Sequence, residues 1–364
     1  MVRGAGNQRY PAVSVIVVNY NCGRYIRECV RAVLRSSVAV ELIVSDNGSS
    51  DDSLPALRTL ATNDKRVRLI ENKRNLGFTR AANIALNEAT ADHFVLLNPD
   101  CIVRPQALER LLEVLAIDSN VGMVGCLIRN TDGSEQGGCR RAVPTPWRSL
   151  VRVFHLDKIF PKHPRFRTFL LNEDPLPDRP VDVEAVSGAL MVVRRSATEQ
   201  VGLLDENYFL HCDDLDWCMR FRRAGWRILF VPDAEAVHYK GACSQKCQMR
   251  VLWHKHKGMV RFYRKFFRHQ YPLPLMGLVI GAVWARFALL SVRVLFNWTR
   301  DSIREAAQVK TTPVEHNVAV EAWKNISPRT DVEVRSEELP EALEEPQTHV
   351  RQIEANFRSL GSGL

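Results

Sequence analysis

Two short polar clusters hold the residue types best suited to chemistry. Asp213-Asp214-Leu215-Asp216-Trp217 opens a predicted helix over 213–223, in which Leu215, Cys218 and Met219 face inward. Carboxylates favour a helix N-terminus because the dipole and the free N–H groups there stabilise negative charge, so capping is one reading. Three acids within four residues exceed what a cap needs. The other reading is a general base that takes a proton from an acceptor hydroxyl while the hydroxyl attacks an electrophilic carbon. The second cluster is Asn98-Pro99-Asp100. A hard divalent cation takes oxygen ligands and bridges diphosphate oxygens; Asp100, with Asn98 nearby, offers one or two of them. A plain strand-ending turn is the alternative.

The elements that must position these residues read as alternating strands and helices. Apolar runs predict strands at 13–18, 41–45, 67–70, 93–97 and 121–128, and helical stripes fall between them at 24–36, 54–60, 78–89 and 106–115. That alternation implies a mostly parallel α/β sheet with helices on both faces, and ligands of such sheets bind beyond the carboxyl ends of the strands. Four consecutive strand ends are polar: Asn19-Tyr20-Asn21, Asp46-Asn47, the Asn72–Gly77 loop with Asn75, and Asn98-Pro99-Asp100. This set suits a nucleoside diphosphate. Asp46 can accept from a pyrimidine N–H, Tyr20 can stack on the base, and Lys73 and Arg74 can hold phosphate. Asp46 and Asp51 can equally cap a helix. The glycine signatures of dinucleotide-binding and P-loop proteins are absent from the sequence.

Residues 130–180 are irregular and rich in Pro, Arg and aromatic side chains, which predicts an insertion over the site. Strands are expected at 183–194, kinked at Ser187-Gly188, and at 228–231. Residues 250–270 mix Lys, Arg and His with Trp253, Phe262, Tyr263, Phe266 and Phe267, a pattern suited to anionic lipid headgroups. Residues 272–296 are apolar and long enough to span a bilayer, although they carry Arg286 and Arg293. A helix pair covering the sheet or a second subunit is the other option. The net charge of +9 fits an anionic partner. Because the basic residues cluster beside an apolar stretch, lipid fits better than nucleic acid. The nine cysteines show no zinc spacing, Cys243 and Cys247 included, and read as reduced thiols. The first eleven residues lack the apolar core of a secretory signal. The expected organisation is an N-terminal tail (1–11), a catalytic domain (12–245), a membrane-association segment (246–298) and a polar, partly acidic tail (299–364).

In combination and order, these elements resemble a family 2 glycosyltransferase of the GT-A fold, close to bacterial rhamnosyltransferases of cell-surface polysaccharide assembly. The resemblance rests on Val15–Asn21, Val44–Asp51, Asn75-Leu76-Gly77-Phe78 with Ala82-Asn83, Leu96–Asp100, Ser187–Met191 and Asp213–Arg220. It implies that Asp46 reads the pyrimidine base, that Asp100 binds a divalent metal (Mg2+ or Mn2+), and that Asp214 is the base of a single displacement with inversion. Asn19, Tyr20, Asn75 and Asn98 complete the expected nucleotide-sugar site; Asp213 and Asp216 are expected to meet the acceptor. His238, in Val237-His238-Tyr239-Lys240-Gly241, matches a histidine near the end of such domains, with a metal, phosphate or structural role. The chain departs from the family at Asp213, one methylene shorter than the usual Glu, and at Asn98, where an Asp is usual. The implied partners are a dTDP- or UDP-linked donor, L-rhamnose being one candidate sugar, and a glycan or polyprenyl-linked acceptor at the cytoplasmic face of the inner membrane. A non-catalytic membrane scaffold on the same fold is the competing reading.

Overall fold

A computed structural model of the chain describes residues 12–160 and 163–311. The chain divides into two units, Met1–Ser302 and Ile303–Leu364. The first is described below. The expected tail at 1–11 and most of that at 299–364 lie outside the described residues.

The strands are β1 (Val13–Asn19), β2 (Val40–Asp46), β3 (Val67–Glu71), β4 (His93–Leu97), β5 (Cys101–Val103), β6 (Val121–Arg129), β7 (Arg140–Arg141), β8 (Val181–Asp182), β9 (Ala185–Val186), β10 (Leu190–Arg194) and β11 (Arg227–His238). The helices are α1 (Arg24–Leu34), α2 (Ser53–Asn63), α3 (Phe78–Glu88), α4 (Ala107–Ile117), α5 (Pro146–Val153), α6 (Leu156–Ile159), α7 (Arg195–Val201), α8 (Asp213–Arg223), α9 (Gln248–Phe267) and α10 (Leu273–Thr311). The main sheet has the order β3-β2-β1-β4-β10-β6-β11-β5, with β8 also beside β11; β7 and β9 form a separate ribbon. β1 is buried on both faces, as its continuous apolar run requires. Its register sets Asn19 level with Asp46, and β2 in turn sets Asp46 level with Glu71, so polar side chains end neighbouring strands together.

The sheet is mixed. β3, β2, β1 and β4 run parallel, as do β6 and β11, but β10 runs antiparallel to both β4 and β6. That reversal matters for the site: because β10 is antiparallel, its amino end meets the carboxyl end of β4, with Leu190 opposite Leu97. Ser187-Gly188 is therefore a change of sheet between β9 and β10 and not a kink within one strand. β11 also departs from the expected 228–231. Pro232 sits at a register shift between Val231 and Glu235, and the strand resumes to His238, pairing with β5. A proline is tolerated where a bulge removes the need for its N–H.

The C-terminal helices pack as a hairpin against the catalytic half. α9 buries Val260, Phe262, Tyr263, Phe266 and Phe267, and α10 buries Met276, Val279 and Val283. Each such side chain contributes ~1.5–3 kcal/mol when fully removed from water. The opposite face of α10 exposes Leu278, Leu289, Val292, Leu295 and Phe296.

Candidate active site

The carboxyl ends of β1 and β2 are tied by hydrogen bonds. Asn19 Nδ2 donates to Asp46 Oδ2 (2.6 Å), Ser53 Oγ (2.9 Å) and Ser49 Oγ (3.1 Å). Asp46 Oδ1 accepts from the backbone N–H groups of Gly48 (3.0 Å) and Ser49 (2.9 Å), and its Oδ2 also accepts from Ser49 Oγ (2.7 Å). Asp46 is fully buried, and this network folds the 46–51 turn. Asn47 joins it to the third loop: its Nδ2 donates to Gly77 O (3.1 Å), while Asn75 Oδ1 accepts from Gly77 N–H (2.9 Å). Gly77 has φ +87°, and a Cβ there would meet Phe209 O at 2.8 Å, so this loop admits only glycine. Tyr20 is half-buried beside the network.

At the end of β4 the structure brings Asp100 and His238 together. His238 Nε2 lies 3.1 Å from Asp100 Oδ1, and Asn98 Nδ2 donates to the same nitrogen (3.3 Å). The far side of the ring fixes its tautomer. Gln136 Nε2 donates to Asn130 Oδ1 (2.9 Å) and His238 O (3.3 Å), which leaves Gln136 Oε1 to accept from His238 Nδ1–H (2.7 Å). In the neutral ring, Nε2 then accepts from Asn98 Nδ2 and lies beside the Asp100 carboxylate. An imidazole whose other ring N–H is tied to an oxygen acceptor has the arrangement of a ligating histidine. Among the described residues no group of three or more His, Cys, Asp or Glu is assembled.

α8 delivers the acidic pair. His211 and Cys212, with φ +68° and +66°, turn the chain immediately before Asp213. Left-handed backbone at two consecutive non-glycine residues is strained and persists only where packing holds it. Asp214 forms an ion pair with Arg141 Nη2. Its Oδ2 also accepts from Gly188 N–H (3.3 Å) and its Oδ1 from Leu215 N–H (2.8 Å). Gly188 is needed at this approach, since a Cβ would sit 3.0 Å from Asp214 Cβ. The next residue, Ala189, accepts from Asn98 N–H (2.9 Å), so the β9–β10 link joins the Asp214 and Asp100 halves of the site. Asp213 is buried, and burial, then the adjacent Asp214 charge, raises its pKa to about 7.

Asp216 is not brought to the cleft. It is fully buried on the other side of α8, where Oδ2 pairs with Arg220 Nε (2.7 Å) and Oδ1 with Lys265 Nζ (2.6 Å). Its side chain is an internal counter-ion and cannot reach an acceptor. Arg141 and Gln136 both carry roles in the site that the sequence did not disclose: they lie in the irregular 130–180 stretch, where no periodicity marks a facing side. All nine cysteines are free thiols.

A sheet of this topology with polar strand ends, a carboxylate–imidazole pair and a paired acid at a helix start defines a sugar-nucleotide transferase architecture. The family model for glycosyl transferase family 2 matches residues 14–201, and the chain belongs to that family. It is 28% identical over 313 residues to N-acetylglucosaminyl-diphospho-decaprenol L-rhamnosyltransferase of Mycobacterium tuberculosis, covering 83% of this chain and 97% of that relative. Among solved structures it is similar to a mannosyltransferase of Pyrobaculum calidifontis in complex with GDP-Man and Mn2+. The TM-score is 0.51 at 20% identity, covering 87% of this chain and 80% of that one. It is also similar to GalNAc-T7 with UDP, GalNAc and Mn2+, with a TM-score of 0.51 at 17% identity, covering 71% of this chain and 48% of the other. These likenesses establish the GT-A fold.

Proposed function

We propose that this glycosyltransferase inverts the anomeric centre of a nucleotide-diphosphate sugar while moving the sugar to a lipid-linked acceptor in cell-envelope glycan synthesis. The observation that carries the reading is the Asp100–His238 pair 3.1 Å apart, set beside Asp214 through the Gly188-Ala189 link. The donor set fits a divalent metal: Asp100 and His238 would hold it, with Gln136 fixing the tautomer. When bound, such an ion neutralises charge on the departing diphosphate. The chain's own residues do the rest. Asn19, Asp46 and Asn75 shape the loops that floor the nucleoside site, and Tyr20 faces the base. Arg141 and the Gly188 N–H orient Asp214. Its carboxylate takes the acceptor hydroxyl proton as the oxygen bonds to the anomeric carbon and the bond from that carbon to the diphosphate breaks. Attack from the side opposite the leaving group inverts the centre. L-rhamnose from a dTDP donor is the favoured sugar, supported by the mycobacterial relative.

The proposed location is the cytoplasmic membrane surface, with α10 lying in the interface. α10 is apolar enough over Leu273–Arg300 to cross a bilayer. Yet Arg286, at the middle of that stretch, touches His256 of α9 (Nη1 to Nε2, 3.3 Å). α9 in turn lies on the catalytic turn, where a Cβ at Gly258 would meet His211 O at 2.8 Å. A span centred on Arg286 would draw the cleft into the hydrocarbon core, which is ~30 Å thick. An in-plane helix keeps the cleft in water and places Leu289, Val292, Leu295 and Phe296 in lipid.

Calorimetric titration of the full chain with dTDP and UDP, with and without Mn2+, tests the donor site. Metal-dependent binding that Asp100→Ala and His238→Ala abolish is the expected result. Equal affinity with and without metal would remove the site assignment.

A further inference from the structure

Beside the cleft, Lys240, Lys255 and Arg286 are drawn together from the turn after β11, from α9 and from α10. Lys240 follows the metal-site histidine by two residues, and the N–H of intervening Tyr239 donates to Asp100 O (2.9 Å). Lys255 lies one helical turn before Gly258, on the face of α9 pressed against the His211–Cys212 turn. Arg286 reaches across from α10 to His256, the residue next to Lys255. His256 Nδ1–H donates to Leu252 O (2.8 Å), so its Nε2 is an acceptor that fixes the guanidinium. Among the described residues, Lys240, Lys255 and Arg286 form no ion pair with a carboxylate. This contrasts with the neighbouring Arg141, Arg220, Arg261 and Lys265, each of which has one.

The fields of these groups overlap. The Lys255 ammonium loses proton affinity first to partial desolvation, then to Arg286 and Lys240. His211, at the same rim, is held to about 4 by desolvation and then by Lys255. Converging, unneutralised positive charge at the mouth of a cleft is the complement of a polyanion. The donor diphosphate already has a place at Asp100 and His238. Lys255 and Arg286 belong instead to the hairpin whose outer face is apolar and exposed.

We propose that Lys240, Lys255 and Arg286 form a cradle for the diphosphate of the acceptor, a polyprenyl-diphosphate-linked sugar whose chain leaves along the exposed face of α10. This rests on the transferase reading above and names the acceptor class for the same site. The cradle would hold the lipid diphosphate at the membrane surface while the sugar hydroxyl reaches Asp214.

The test uses the full chain in detergent, with farnesyl diphosphate and farnesyl monophosphate as probes and dTDP with Mn2+ as the donor-site control. Wild-type protein is expected to bind the diphosphate at least about tenfold more tightly than the monophosphate, a difference of about 1.4 kcal/mol. Lys255→Gln is expected to remove that preference while dTDP binding stays within about twofold. Arg286→Gln should do the same and Arg286→Lys should restore part of it; Lys255→Gln makes the test independent of the Arg286–His256 contact. Loss of dTDP binding in Lys255→Gln would show that the cluster serves the donor, and overturns the proposal. So would unchanged farnesyl diphosphate binding, or a loss seen only as weaker flotation with anionic vesicles. A wild-type protein that binds dTDP with Mn2+ but no farnesyl diphosphate sinks the cradle alone; one that binds no nucleotide sinks the transferase reading beneath it.

Discussion

Asp213 and Asp214 are adjacent in sequence and differ in surroundings. Asp214 has Arg141 and two backbone N–H donors; Asp213 has burial and its neighbour's charge, which lift it to about 7. A carboxyl raised above its unfolded value binds more protons folded than unfolded. Its contribution to stability is therefore present at low pH and is lost as pH rises from the ordinary carboxylate range through 7. Asp213→Asn removes that loss. Its stability relative to wild type should improve between pH 5 and pH 8 by roughly 1–3 kcal/mol, read from urea unfolding at the two pH values. A constant difference would place the proton elsewhere. Residue type and position made Asp100, Asp213 and Asp214 candidates in the sequence, because acids after strands and at a helix start are chemically conspicuous; His238 was a candidate only through the family resemblance. The same reasoning included Asp216, and nothing in a one-dimensional pattern separates the two sides of a first helical turn. Arg141 and Gln136 were invisible because their partners lie 73 and 102 residues away along the chain.

At the scale of elements, the position of α8 depends on α9. Lys265 bridges Asp216 (2.6 Å) and Asp205 (2.8 Å), and Arg261 also holds Asp205 (2.7 Å). Without Lys265, Asp216 keeps Arg220 and Asp205 keeps Arg261, so each carboxylate loses one of its two cationic partners. Lys265→Met is expected to cost roughly 2–4 kcal/mol in urea unfolding. Gly258→Val tests the same coupling from the other side. Its Cβ would meet the His211 carbonyl, so turnover should fall by about tenfold or more while dTDP binding persists. The parallel half of the sheet was readable from its periodicity. β7 and β9 were not, because two-residue strands carry no pattern, and the direction of β10 was hidden because periodicity is the same in parallel and antiparallel strands. β11 runs past the 228–231 expected from sequence because the bulge at Pro232 removes the need for its N–H.

For the whole molecule, the apolar C-terminal stretch was plain in the sequence, but its orientation was not: an exposed and a packed face have the same composition. The contact of Arg286 with His256 supports the proposed in-plane placement of α10 over a span. Leu289→Glu with Val292→Glu and Phe296→Glu should lower the fraction floating with vesicles by about tenfold, since each buried leucine-sized side chain contributes ~1.5–3 kcal/mol. Turnover on a water-soluble acceptor should stay within about twofold, because these residues lie outside the cleft.

Chemistry at Asp214 is the central claim, and single-turnover sugar transfer by Asp214→Asn with donor, Mn2+ and acceptor in excess tests it most directly. A fall in transfer rate of about a thousandfold or more is expected, with donor affinity within about twofold of wild type, since a base acts in the transition state and not in donor binding. Transfer at the wild-type rate by that variant would contradict the account.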